Sequence, residues 1–183
     1  MAPGDLSAVQ ILDCLTAACT AGDVASLLVP ARLAGEVSVE AQRLGVAVIV
    51  AGEARDAIRC GADGIQLDAQ AEDLPGTRLA LGKDRILGAY VGGSRHLAME
   101  AAEAGADYIA FDQTAPALGG EPLVAWWQAL TEIPCVAFRP VSLDTLDILL
   151  PQRPDFIRPP DAMWQGAEDA RRIVTTLSQR LGA

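Results

Sequence analysis

Histidine and lysine are almost missing from this chain: His96 stands alone, and Lys83 is the only lysine among 14 basic residues. A single histidine excludes a two-histidine metal site, and no Ser-His-Asp arrangement suggests itself around it. Basic charge is scarce in general. Twenty-four acids against 14 bases leave a formal net charge of −10, which argues against nucleic acid and against anionic membrane surfaces. No CxxC spacing joins Cys14, Cys19, Cys60 and Cys135. Their scatter over apolar segments points to buried free thiols rather than a disulfide framework or a zinc site. Long apolar runs are also missing. Stretches such as Val46 to Ala51 are far too short to cross a bilayer. The opening MAPGDLSAVQ has no basic residues ahead of an apolar core, so it does not read as a signal peptide. The expectation is a soluble cytoplasmic protein with no nucleic-acid or membrane partner.

Apolar residues are plentiful, at 51% of the 183 residues, enough for one domain with a sizeable core. Their periodicity alternates along the chain. Leu6 to Ala21, the stretch around Val37, Ala41 and Leu44, Ala54 to Cys60, and Leu74 to Leu81 read as helices. So do the segment after Ser94, Leu123 to Leu130, Leu143 to Leu150, and the stripe from Ala167 to Leu181. Between them lie short β-rich runs: Val24 to Val29, Val46 to Val50, Gly64 to Leu67, Ile86 to Val91, Tyr108 to Phe111, Cys135 to Phe138, and Phe156 to Arg158. Regular alternation of this kind implies a parallel sheet with helices outside it. A doubly wound open sheet is the alternative. A TIM (β/α)8-type barrel lacking its first strand, with seven parallel strands and outer helices, is preferred. The repeated Gly61-Ala62-Asp63-Gly64 and Gly105-Ala106-Asp107-Tyr108 reuse one helix-to-strand turn, as barrels do. Adjacent Trp126 and Trp127 lie about 100° apart on their helix, so one can face the sheet while the other is more exposed.

GADGIQL at 61–67, SRHLAMEAAEAGADYIAF at 94–111, WWQ at 126–128 and IPCVAF at 133–138 resemble the thiamine-phosphate synthase and TenI family of barrels. The resemblance runs from about Asp5 onwards and places the family's first strand ahead of the chain's first helix. It implies a transferase of thiamine biosynthesis that couples a pyrimidine diphosphate to a thiazole phosphate with Mg2+. Such chemistry needs carboxylates for the metal and donors for the phosphates at the C-terminal strand ends. Those ends depart from the family pattern. Where the family has Gln-Leu-Arg-x-Lys, this chain has Leu28-Val29-Pro30-Ala31-Arg32. The family's Asn-Asp-Arg becomes Ala51-Gly52-Glu53, and its Gly-Gln-Glu-Asp falls on Asp68-Ala69-Gln70-Ala71, leaving Asp73 as a displaced acid. Tyr90-Val91-Gly92 replaces Ser/Cys-x-His, so the tautomerase histidine is gone. Ala115 to Gly120 carries no lysine, and the glycine phosphate grip is replaced by Arg139-Pro140, where proline has no N–H to give. The last strand's Ser-Gly-Gly becomes Pro160-Asp161-Ala162.

The candidate site residues follow from that comparison. Arg139 and Arg158 end the last two strands, and arginine recognises phosphate well. They either hold a small phosphorylated molecule or pair with Asp161, Asp144 or Asp112 and plug the mouth. Gly92, Gly93 and Ser94 either form an anion nest at a helix N-terminus or serve as a turn and cap. Asp68, Asp73 and Asp112, with Glu53 nearby, are candidate Mg2+ ligands or hydrogen-bonded loop acids. His96 reads as a solvated helix residue, and Lys83 precedes its strand, away from the reacting face. Tyr90, Phe138 and Met163 are core or pocket wall. The expected function is a family barrel without synthase activity that binds a small phosphate ligand or acts in regulation. The alternative is an active synthase-like transferase with a rebuilt Mg2+-diphosphate site. Assembly as a homo-oligomer is compatible with either.

Overall fold

The computed structural model describes residues 1–71, 73–112 and 120–182. Helices and strands alternate along them: α1 (Ala8–Cys19), β1 (Ser26–Pro30), α2 (Ala31–Arg43), β2 (Ala47–Ala51), α3 (Ala54–Cys60), β3 (Gly64–Asp68), α4 (Leu74–Leu81), β4 (Ile86–Gly92), α5 (Arg95–Glu103), β5 (Tyr108–Phe111), α6 (Leu123–Leu130), β6 (Cys135–Ala137), α7 (Leu146–Leu149), β7 (Phe156–Ile157) and α8 (Ala167–Leu181). Among the described residues the seven strands follow one another in chain order in one sheet. Pairing is parallel between β1 and β2, and from β4 through β5 and β6 to β7. The fold is of the TIM-barrel type. No described helix is long and apolar enough to cross a membrane.

Contacts divide the chain into two compact units, Met1–Ile65 with Pro159–Ala183, and Gln66–Arg158. In the first unit α1 starts at a capping box. Ser7 Oγ accepts from the Gln10 N–H, and Gln10 Oε1 accepts from the Ser7 N–H. Its buried face (Ile11, Cys14, Leu15, Ala18) packs with α8, which buries Ala170, Ile173, Val174 and Leu177. Gly22 makes the approach possible, because a Cβ there would stand 2.0 Å from Ser178 Oγ. Among the described residues no strand precedes α1. Instead Ala2 is fully buried, and its N–H donates to the Leu28 carbonyl on β1 at 2.8 Å. Edge backbone that would otherwise be open is covered at that point.

In the second unit the core is built on Leu87, Ala89, Ile109, Phe111, Trp127 and Leu146. Trp127 is fully buried and donates its indole N–H to the Ile133 carbonyl at 2.8 Å, while Trp126 is half-buried. Tyr108 lies across the backbone of Gly88 and donates its hydroxyl to Gln66 Oε1 at 2.9 Å. The stretch Leu143 to Leu150, expected as one helix, is divided. A 3-10 turn covers Leu143–Thr145, α7 is one turn long, and a second 3-10 turn spans Leu150–Gln152. The Thr145 hydroxyl bonds back to the Ser142 carbonyl at 2.9 Å, and Pro151 withholds an N–H. A further 3-10 turn at Asp161–Gln165, in the first unit, buries Met163 and Trp164.

The Gly-Ala-Asp turns have a common role. Asp63 Oδ2 accepts from the Val48 N–H at 2.7 Å, and Asp107 Oδ2 from the Leu87 N–H at 2.7 Å. Each carboxylate also receives a side chain from a preceding helix, Gln42 or Arg78, which donates as well to the carbonyl of Gly61 or Gly105. Asp155 repeats the device, accepting from the Cys135 N–H at 2.8 Å and from Gln128.

Candidate functional site

The C-terminal strand ends of the second unit bring together most of the residues expected there. Asp68 closes β3 and Tyr90 lies near the end of β4. Asp112 follows β5, Phe138 and Arg139 follow β6, and Arg158 follows β7. Backbone bonds fix these positions. The Ala69 N–H donates to the Tyr90 carbonyl, Asp112 to Gly92 and Phe138 to Phe111, each at 2.9 Å, and Arg158 donates to Ala137 at 3.0 Å. A register shift between Tyr90 and Gly92, with Gly92 at φ +56°, turns the end of β4. That conformation suits glycine.

Side chains then meet across the strand ends. Arg139 Nη1 stands 3.6 Å from Asp112 Oδ1. The Arg158 guanidinium lies 5.1 Å from the Phe138 ring centroid, and Phe138 in turn meets Tyr90 at 5.3 Å between centroids. Burial pushes the Tyr90 phenol up from its ordinary value. The carboxylates of Asp112 and Asp68 push the same way, and Arg139 opposes them. Cations, carboxylates, a phenol and an aromatic wall thus share one locality.

Other candidates have local duties. Ser94 Oγ accepts from the Leu97 N–H at 3.2 Å, so this hydroxyl caps α5. Asp73 Oδ1 accepts from the Gly76 N–H and caps α4, and Asp68 Oδ1 accepts from the Gln70 N–H, each at 3.0 Å. Glu53 caps α3 and pairs with Arg55 at 2.9 Å. Among the described residues no group of three or more His, Cys, Asp or Glu side chains comes together to hold a metal ion. Of the candidate Mg2+ ligands, Asp68 and Asp112 lie at the strand ends near Tyr90, and Asp73 caps α4. Arg32 is exposed in the first turn of α2. His96 is 80% exposed and stands 3.3 Å from Glu100, as a solvated helix residue does. Lys83 is exposed ahead of β4. Of Ala115 to Gly120, where the resemblance puts the family's lysine loop, residues 115–119 lie outside the described residues.

Sequence reasoning missed the Tyr90–Phe138–Arg158 stack, which depends on three strands meeting. It also missed a cavity of about 390 Å3 in the first unit, lined by Asp13, Cys14, Thr20, Trp164 and Arg171 among others. That cavity shares no residue with the strand-end group, which carries the charges expected of a site, so the strand ends are the better candidate.

Comparison with known proteins agrees with the fold. Residues 30–150 match the family model described as thiamine monophosphate synthase. The thiamine-phosphate synthase of Erythrobacter litoralis (strain HTCC2594) is 34% identical over 165 residues, covering 84% of this chain and 75% of that protein. That of Rhodospirillum centenum (strain ATCC 51521 / SW) is 32% identical over 166 residues, covering 82% and 80%. Among solved structures, a thiamine phosphate pyrophosphorylase from Pyrococcus furiosus superposes with a TM-score of 0.77 at 23% identity, covering 93% of this chain and 89% of that one. The chain belongs to the thiamine-phosphate synthase and TenI family.

Proposed function

We propose that this chain binds a small phosphorylated anion at its strand ends and does not catalyse the family's coupling reaction. The observation that carries the reading is the engagement of the charged groups with one another. Arg139 faces Asp112 at 3.6 Å, while Asp73 and Asp68 accept backbone N–H groups near them in sequence. Each of these carboxylates has part of its acceptor capacity taken up, which leaves less of it for the one or two carboxylate bonds by which Mg2+ is usually held. Two arginines at neighbouring strand ends still supply the cations and forked donors that phosphate recognition requires. Gly92 and Gly93, next to the capped start of α5, add backbone donors to the same reading.

Calorimetric titration with inorganic pyrophosphate tests it. Wild type is expected to bind, with Arg139→Ala and Arg158→Ala each weakening binding at least about tenfold, as loss of a charge-assisted contact does. No binding by wild type, or equal binding by both variants, would remove the anion site.

A second reading, an active synthase-like transferase with a rebuilt Mg2+-diphosphate site, is favoured by the relatives, which are thiamine-phosphate synthases. It requires Mg2+-dependent turnover that is lost in Asp68→Asn and Asp112→Asn. In both readings the protein works in the cytoplasm on a small molecule, alone or as a homo-oligomer.

A further inference from the structure

The contact between Asp112 and Arg139 has a bearing on which anions the site can accept. Asp112 is held by its own N–H to the Gly92 carbonyl, and its side chain is 27% exposed. Arg139 is 54% exposed, so its guanidinium is the more accessible partner. A nitrogen-to-oxygen distance of 3.6 Å is charge pairing rather than a tight forked hydrogen bond. Such a half-exposed pair is weak and exchangeable. Any anion that engages Arg139 must take the place of a carboxylate that is already there and that stays close by.

We propose that Asp112 is a built-in competitor at Arg139 that selects for multiply charged phosphate ligands over singly charged carboxylates. This inference rests on the anion-binding reading above. A monocarboxylate offers Arg139 no more than Asp112 does, and it enters against the displaced Asp112 charge. A phosphate or pyrophosphate group brings more negative charge and three or more acceptor oxygens, enough to hold Arg139 and Arg158 together. Tyr90 already senses Asp112 and Arg139 with opposite sign, which places the three groups within electrostatic reach of one another.

Titration calorimetry on the full chain with pyrophosphate and, separately, with acetate tests the proposal in wild type, Asp112→Asn and Arg139→Ala. Asp112→Ser serves as a second variant, and circular dichroism melting checks that each one folds. Removing the competitor is expected to tighten pyrophosphate binding about fivefold and to narrow the preference for pyrophosphate over acetate. Arg139→Ala is expected to lose binding of both. If wild type binds pyrophosphate and both Asp112 variants bind it equally or more weakly, the competitor role is overturned while the anion site stands. If neither wild type nor the Asp112 variants bind pyrophosphate, the anion-site reading falls, and this inference with it.

Discussion

Tyr108 occupies the space that a side chain at position 88 would need. A Cβ on Gly88 would stand 2.1 Å from the Tyr108 ring, and the ring is pinned by its bond to Gln66. Gly88→Ala is therefore expected to destabilise the protein by about 2–3 kcal/mol, read as a shift in the urea midpoint with unchanged slope. Equal stability would show that the ring can move aside. The chain's two tyrosines also set an alkaline limit. Burial raises the phenol of Tyr108, and burial with help from Asp112 and Asp68 raises that of Tyr90. A raised phenol holds its proton more tightly when folded. Its contribution to stability is complete below the ordinary tyrosine value of about 10 and is lost as pH rises through the folded value. In Tyr108→Phe only Tyr90 is left to report by phenolate absorbance, and adding Asp112→Asn should bring its titration down towards the ordinary value. An unmoved titration would place Asp112 outside its electrostatic reach. At this scale the solvated His96 and the unequal tryptophans were legible from helix spacing. The Tyr108–Gln66 bond was not, because it joins neighbours of neighbours in the sheet.

The Asp clamps govern the elements. Each takes the N–H of a strand start, Val48, Leu87 or Cys135, onto a carboxylate from the turn ahead of a later strand. The sequence displayed two of the three as Gly-Ala-Asp. The third, Arg153-Pro154-Asp155, escaped notice because the glycine is replaced. Arg153 stands at φ +59°, matching Gly61 at +67° and Gly105 at +86°, and is the positive-φ non-glycine residue among those described. A side chain there costs roughly 1–2 kcal/mol, partly offset by the greater freedom glycine gives the unfolded chain. Arg153→Gly is thus expected to raise stability by about 0.5–1 kcal/mol, measured by thermal or urea unfolding, and a loss would contradict the shared-turn account. Asp107→Ala, which strands the buried Leu87 N–H and the Arg78 fork, should cost about 1–2 kcal/mol. Helix and strand positions were legible wherever periodicity was clean, as in Ala54–Cys60, Leu74–Leu81 and Ala167–Leu181. They failed at Leu143 to Leu150, where Pro151 and the Thr145 hydroxyl outweigh an apolar pattern.

At the scale of the whole molecule, the fold and the family were legible because core residues, turns and helices retain the pattern that specifies them. The resemblance implied that the strand ends keep the family's places with other occupants, and sequence alone left phosphate binding and mouth-plugging as equal outcomes for Arg139 and Arg158. The Arg139–Asp112 contact is the pairing half of those outcomes, and in the proposed reading the acid occupies the cation until a stronger anion arrives. Pairing of this kind depends on where two loops end in space, which neither spacing nor composition encodes. The central claim is that a family barrel has kept its architecture while giving up the coupling chemistry. A synthase assay on the full chain, with Mg2+, the pyrimidine diphosphate and the thiazole phosphate, tests that claim most directly when run beside an active family member. The account predicts no product above background at saturating substrates, and Mg2+-dependent turnover comparable to the active enzyme would contradict it.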